Sequence, residues 1–342
     1  MEASFRWVPV TAIAPVAWGA TYFVTHRFLP ADHPLYGAVI RALPAGLLLL
    51  LVRRTLPSGS WWWRSLVLGT LNMGAFFALV YLAAQVLPTS VASTIMATAP
   101  VVMMLIAWAA LAERPGVAHL AGAGIGIAGV SLLLLDGAGA VDLSGVLASA
   151  AAMVMSSLGY VLAKKWSAGV RVRPATDRQV DVFSLTAWQL VAGGAVLLPV
   201  AVAVEGRPPA LDGPALLGFG YVTVVATALA FAAWFTGLRH LSAGTVGLVG
   251  LLNPVTGLLL GTVVAGETLA PHQIGGLVLV FLGILLGQPV GTRLLGAVRT
   301  IRAGPAPKAA ARGAAPPGPP GPIESPDPAR SCAITQAADT NR

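Results

Sequence analysis

The sequence predicts an all-α polytopic membrane protein, with ten transmembrane helices arranged as two inverted five-helix repeats. Three observations predict it. Of 342 residues, 56% are hydrophobic and only 10% are charged, against about 25% charged in a soluble domain. The mean hydropathy is +0.79. Apolar runs of bilayer length follow one another from Trp7 to near residue 290, and the two halves of that region resemble each other at a fixed offset.

A helix crosses a bilayer core in about 20 residues, because every backbone polar group must be satisfied inside the helix. Runs of that length lie near 7–28, 34–52, 65–86, 89–112, 116–135, 143–163, 182–204, 213–237, 241–265 and 270–290. Ser65 to Ala112 has no charge in 48 positions, which is too long for one crossing. Gln85, Pro88, Thr89 and Ser90 supply the break that divides it. The first run is too long for the core of a cleaved signal.

With the N-terminus in the cytoplasm, the inner segments hold nearly all 21 basic residues. Only Arg27 and Arg207 fall outside, and Arg41 falls within a span. This asymmetry predicts a multi-pass cell-membrane protein with both termini cytoplasmic. The net charge of +8 then reports topology, and no nucleic-acid partner is expected. Trp61, Trp62 and Trp63 precede the third span and read as an interfacial anchor. From Ala303 to Arg342 the chain is rich in Pro, Gly and Ala, and 291–342 reads as a disordered cytoplasmic tail. The one cysteine, Cys332, forms neither an intrachain disulfide nor a thiolate metal site. No metal or other cofactor is expected.

The repeat appears at an offset of 154. Pro100 and Val101 align with Pro254 and Val255, Glu113 with Glu267, and Gly122 and Gly129 with Gly276 and Gly283. Earlier in each half, Arg41 faces Gln189 at an offset of 148. Five spans per half is an odd number, so the second half enters from the opposite side. That architecture suits alternating access around a midplane site. The first repeat and the opening helix of the second fill 1–163, with the repeat boundary near 137–142. Residues 164–181 form a cytoplasmic linker, and 182–290 complete the second repeat.

Several segments resemble a known family. They are Trp18-Gly19-Ala20-Thr21-Tyr22, Arg41, Thr186-Ala187-Trp188-Gln189, and the stretches Tyr81 to Glu113 and Phe235 to Glu267, which contain Pro100 and Asn253-Pro254. In order, spacing and duplication they resemble the ten-helix EamA type of drug/metabolite transporter, over about residues 7–290. The resemblance implies two inverted five-helix halves and a transporter, often an exporter of amino acids, metabolites or toxic compounds. It does not choose a substrate.

Against that background the candidate substrate-binding residues are Trp18, Tyr22, Arg41, Asn72, Thr98, Pro100, Tyr160, Trp188, Gln189, Phe231, Asn253 and Pro254. Trp234 is a further aromatic of the same kind. Arg41 is the only ionised residue well inside a span, where a charge costs at least about 2.5 kcal/mol on insertion scales. It binds a substrate anion or caps carbonyls; the resemblance, with arginine here across unlike substrates, favours the structural role. Pro100 and Pro254 each remove a helical hydrogen bond and kink their helix, and Asn253 offers an amide beside the freed carbonyl. Aromatic side chains facing a cavity stack on aromatic or cationic solutes, although many simply pack.

Glu113 and Glu267 sit at span ends, as caps or gates. No acidic residue lies mid-span, so a proton cycle on a buried carboxylate is not expected. The leading expectation is an exporter of small metabolites, with a small-molecule substrate and the lipid bilayer as partners; a homo-oligomer is left open. A carrier of nucleotide-sugars or lipid-linked intermediates would need more cavity cations than Arg41. A membrane-embedded enzyme is disfavoured, because the five histidines lie at span ends without metalloprotease spacing. A non-transporting scaffold or sensor is the remaining alternative from another class.

Overall fold

Long runs of Leu, Ala, Val and Gly leave the backbone at membrane depth only its own carbonyls to bond, and every described element is helical. The computed structural model describes residues 6–28, 33–87, 89–135, 142–168, 180–265 and 269–288. Glu267, most of the 164–181 linker and the tail lie outside them.

The helices run in chain order. α1 is Trp7–Phe28 and α2 is Pro34–Arg53. α3 is Trp61–Gly69, continued through a π turn at Thr70–Gly74 into Ala75–Val86. α4 is Thr89–Ala97 followed by Ala99–Leu111, and α5 is Val117–Leu133. α6 is Leu143–Ala168 and α7 is Val182–Glu205. α8 is Gly213–Thr223, continued through a second π turn at Val224–Leu229 into Ala230–His240. α9 is Ala243–Gly250 followed by Leu252–Ala265, and α10 is Pro271–Leu286. Among the described residues six stretches are long and apolar enough to cross a membrane: Pro34–Arg53, Trp61–Val80, Leu143–Ser167, Val182–Glu205, Gly213–His240 and Ala243–Leu260. Ala99–Leu111, Val117–Leu133 and Pro271–Leu286 are shorter apolar helices.

Several ends differ from the sequence expectation, α8 running on to His240 and α10 stopping at Leu286, and two of the differences move tryptophans or lysines onto a helix. α3 starts at Trp61, so the three tryptophans form its first turn; Trp61 is buried, and Trp62 and Trp63 are exposed. α6 runs past 163 to Ala168, which places Lys164 and Lys165 on the helix. The breaks in α4 and α9 fall just ahead of Pro100 and Pro254, where a proline ring displaces the preceding turn.

Packing is closest between α2 and α7 and between α5 and α10. α1 lies against α8 and α9, and α6 against α3 and α4. Apolar solvent gives helices no hydrophobic drive to associate, so small residues that allow backbone approach set these contacts. A Cβ on Gly122 would meet the Gly283 carbonyl at 2.5 Å, and one on Gly129 would meet the Gly276 carbonyl at 2.8 Å. On α2, a Cβ on Gly46 would meet the Val191 amide at 2.7 Å. The main core lies where the later half of α8 and the first half of α9 meet α1 and α6, around Phe231, Trp234, Phe235, Leu238 and Val246.

Candidate functional site

A π turn carries one residue more than an α turn, and it disturbs the regular ladder of amides and carbonyls. The π turn of α8 receives donors from two other helices. The Ala226 carbonyl accepts from Trp18 Nε1 at 3.0 Å and from Arg41 Nη2 at 3.3 Å. Arg41 Nε also donates to Thr227 Oγ1 at 3.0 Å. The guanidinium lies 4.8 Å over the Phe77 ring of α3. The π turn of α3 is tied to α7 in the opposite sense, as the donor. Asn72 Nδ2 donates to Gln189 Oε1 at 2.7 Å, and Gln189 Nε2 donates to the Leu185 carbonyl at 3.2 Å. Asn72 and Gln189 are fully buried.

Beside the α8 turn the aromatic candidates meet. Trp18 packs on Phe231 and Trp234 with centroids 5.0 and 5.2 Å apart. Tyr160 reaches Trp234 at 5.5 Å and Phe235 at 6.0 Å. Gly19 brings α1 onto α9, where a Cβ would meet the Asn253 carbonyl at 2.5 Å. Gly250, one turn before Asn253, lies against the Trp234 ring. In this cluster Trp234 Nε1 and Asn253 Oδ1 are buried with no hydrogen-bond partner among the described residues. An unmet buried polar group costs about 1–3 kcal/mol, so one donor and one acceptor in an aromatic nest need an explanation.

Thr98 occupies the break of α4 and donates to the Ile95 carbonyl at 2.7 Å. Pro100 is buried against Gly247 of α9, and Pro254 follows the break of α9. Trp188 lies apart from the nest. Its Nε1 donates to the Thr55 carbonyl at 2.8 Å, and its ring packs on Trp61 at 5.8 Å. Tyr22 lies on α1, but its side chain is outside the described ones, as is Glu267.

Polar ties close the helix ends. Glu113 Oε1 is 2.6 Å from Lys164 Nζ, and Glu113 Oε2 accepts from the Ala243 amide at 3.1 Å. Lys164 also donates to the Leu241 carbonyl at 2.8 Å. At the other end of the bundle Glu205 accepts from the Leu35 and Tyr36 amides at 2.6 and 2.8 Å. Asp181 caps α7 and pairs with Arg53 at 3.1 Å. Partial burial works against the Asp181 charge. Hydrogen bonds from Ser184 and the Arg53 guanidinium outweigh it and hold the carboxyl below its ordinary range.

Sequence reasoning missed Thr227, Phe77, Lys164 and Glu205. The offset of 154 that maps Thr70 onto Val224 also relates the first residues of the two π turns, but it maps Thr227 onto Met73, so the repeat held no signal for Thr227. Among the described residues no three His, Cys, Asp or Glu side chains group closely enough to hold a metal ion.

The model of the EamA-like transporter family matches this chain twice, over residues 5–135 and 143–287. Protein PecM of Dickeya dadantii (strain 3937) is 37% identical over 277 residues, covering 81% of this chain and 90% of PecM. A probable amino-acid metabolite efflux pump of Salmonella typhimurium is 28% identical, covering 79% of this chain and 91% of the pump. A solved crystal structure shares the fold at a TM-score of 0.70 and 20% identity, covering 84% of this chain and 98% of the other.

Proposed function

The chain belongs to the EamA-like transporter family, and from that premise we propose that it exports small metabolites across the membrane by alternating access. It is a multi-pass membrane transporter; direction, mechanism and substrate are the proposal. The observation that carries the proposal is the aromatic nest of Trp18, Tyr160, Phe231 and Trp234 beside α9, where Trp234 Nε1 and, on α9, Asn253 Oδ1 are buried with no hydrogen-bond partner among the described residues. The nest takes residues from α1, α6, α8 and α9, so both halves contribute to it.

Alternating access needs two halves of opposite orientation, and several features support that reading. Gly122 aligns with Gly276 and Gly129 with Gly283 in sequence, yet Gly122 packs on Gly283 and Gly129 on Gly276. Such an exchange of partners is what a two-fold axis between α5 and α10 produces. The contacts of α1 with α8 and α9 mirror those of α6 with α3 and α4. Among the described residues each half has one π turn and one broken helix. The basic residues favour ten spans with both termini cytoplasmic.

The nest and the turns around it hold the Arg41 cation, and the acidic residues described all lie at helix ends. A permanent cation therefore meets no counter-ion there. Neutral, zwitterionic and carboxylate-bearing solutes are favoured, in keeping with the amino-acid metabolites named for the Salmonella relative. A nucleotide-sugar would meet too few cations for its phosphates. A scaffold role gives no reason for unmet polar atoms in an aromatic nest.

The test is efflux from cells producing the protein, across amino acids, their analogues and cationic dyes. Wild type is expected to lower the retained level of one neutral or zwitterionic class several-fold and to leave the dyes untouched. Asn253→Leu and Trp234→Phe, at matched membrane levels, are expected to lose most of that export. A membrane-inserted protein that moves nothing on the panel defeats the exporter reading, and one that moves only cationic dyes defeats the selectivity argument.

A further inference from the structure

Each π turn marks the point where a helix changes neighbours. In α3, Trp61–Gly69 and the π turn pack mainly on α7, whereas Ala75–Val86 packs mainly on α6. In α8, Gly213–Thr223 packs on α2 and α1, whereas Ala230–His240 packs mainly on α1. The first segment of α3 meets α7 backbone to backbone. A Cβ on Gly69 would meet the Gln189 carbonyl at 2.6 Å, and one on Gly193 would meet the Gly69 carbonyl at 2.6 Å. Beyond the turn the contact runs through a side chain. A Cβ on Gly145 of α6 would meet the side chain of Leu87, the residue after α3, at 2.5 Å. Backbones this close hold two helices in register, whereas a side chain can change rotamer and let its helix move.

α2 and α7, which pack closely on each other, hold one turn each. Arg41 of α2 donates to the Ala226 carbonyl and Thr227 Oγ1 in the turn of α8. Gln189 of α7 accepts from Asn72 in the turn of α3. Arg41 and Gln189 correspond in the repeat at the offset of 148, so the same position in each half grips the π turn of the other. Thr223, at the edge of the α8 turn, adds a bond to the Ile40 carbonyl of α2 at 3.2 Å. α2, α7 and the first segments of α3 and α8 thus form one frame. Helices bend readily at a π turn, and at membrane depth a bend must strand no polar group. The cross-helix bonds give each turn partners that do not depend on the ladder of its own helix.

We infer that the two π turns are the hinges of alternating access, one for each end of the bundle. On the proposed topology Ala75–Val86 lies on the outer side of the α3 turn, and Ala230–His240 on the inner side of the α8 turn. The outer end opens as the first of these segments swings away from the frame, and the inner end as the second does. Gln189, a substrate candidate by sequence, becomes a positioning residue that holds a hinge, as does Thr227. The inference rests on the alternating-access reading and is independent of which solute is carried.

The test reads each end separately. Leu87 and Leu241 correspond at the offset of 154, follow the two swinging segments and are buried. Each is replaced by cysteine in a Cys332→Ser chain and labelled with a membrane-impermeant maleimide, Leu87→Cys in whole cells and Leu241→Cys in inverted vesicles. Gln189→Leu, which removes the partner of Asn72, is expected to raise labelling at position 87 by about five-fold or more and to leave position 241 unchanged or lower. Thr227→Val is expected to do the reverse, and Thr227→Ser, which keeps the hydroxyl, to label as the wild type does. The unmodified full chain supplies a second measurement that needs no variant to fold. In hydrogen exchange, the amides of Thr70–Gly74 and Val224–Leu229 are expected to exchange faster than those of the helical turns on either side. Variants that shift both reporters together, the opposite one or neither overturn the inference. So do a Thr227→Ser chain that labels as Thr227→Val does, and π-turn amides as protected as their neighbours. Efflux by the reporter chains keeps the exporter reading distinct: export with uniform labelling defeats the hinges alone, and end-specific labelling without export defeats the solute proposal alone.

Discussion

Arg41 directs its guanidinium at the protein's own backbone. Its Nε and Nη2 engage Thr227 Oγ1 and the Ala226 carbonyl across helices, and its plane covers Phe77. A planar fork makes such a pair of contacts and a lysine ammonium does not. Arg41→Lys is therefore expected to lower the thermal unfolding midpoint in detergent, a loss of about 1–3 kcal/mol. An unchanged midpoint with a raised KM for export would assign Arg41 to the substrate instead. Asp181 carries a pH dependence. Its folded-state pKa is depressed, so its contribution is complete above the unfolded value of about 3.9. It is lost as pH falls through the depressed value. Asp181→Asn is expected to flatten the stability profile in that acid window and leave its shape near neutrality unchanged; an unaltered acid limb would rule this out. Arg41, Asn72 and Gln189 were legible in the sequence because a polar group in an apolar run needs a partner. Thr227 was not, because a helical threonine can satisfy itself on a carbonyl one turn back and so needs no second helix. Lys164 reads the same as a lysine placed for topology, and only the fold shows it meeting Glu113.

At the scale of elements, composition and the spacing of polar breaks located the helices, and the two prolines located the breaks in α4 and α9. The π turns were not legible, because no residue type marks them; a cross-helix bond accepted by Ala226 accompanies one and a cross-helix bond donated by Asn72 the other. The glycines of α5 show how much of the packing one residue type carries. On Gly122 a Cβ would meet the Gly283 carbonyl at 2.5 Å, whereas on Gly124 it would meet nothing within 4 Å. The same substitution should then act with opposite signs two residues apart. Gly124→Ala is expected to be neutral or stabilising by up to about 1 kcal/mol, the helix-propensity gain. Gly122→Ala is expected to cost about 1–3 kcal/mol as α10 is pushed away. Paired thermal unfolding curves in one detergent check this, and a matching effect at both positions would mean that α5 and α10 do not pack as described.

At the scale of the whole molecule, a transporter that alternates must hold one end closed while the other opens, and the contact that closes it must be breakable. The tie of Glu113 to Lys164 and to the Ala243 amide has that character. It joins the end of α4, the end of α6 and the junction of α8 with α9 through two side chains. Both remain partly exposed, at 15% for Lys164 and 30% for Glu113, so water can replace the contacts without stranding a buried charge. Breaking the tie should therefore shift the balance of conformations more than it harms the fold. With Cys332 replaced by serine and Ala243→Cys, a position buried in this structure, as a reporter, a membrane-impermeant maleimide reads any opening at this end. Glu113→Gln or Lys164→Met is expected to raise the labelling rate by about five-fold or more, the lower end of typical conformational couplings. The unfolding midpoint should change little. Equal labelling rates with and without the tie would make Glu113 a cap of α9 and nothing more, and the closure would have to be sought in the apolar packing of Met104 against Gly244.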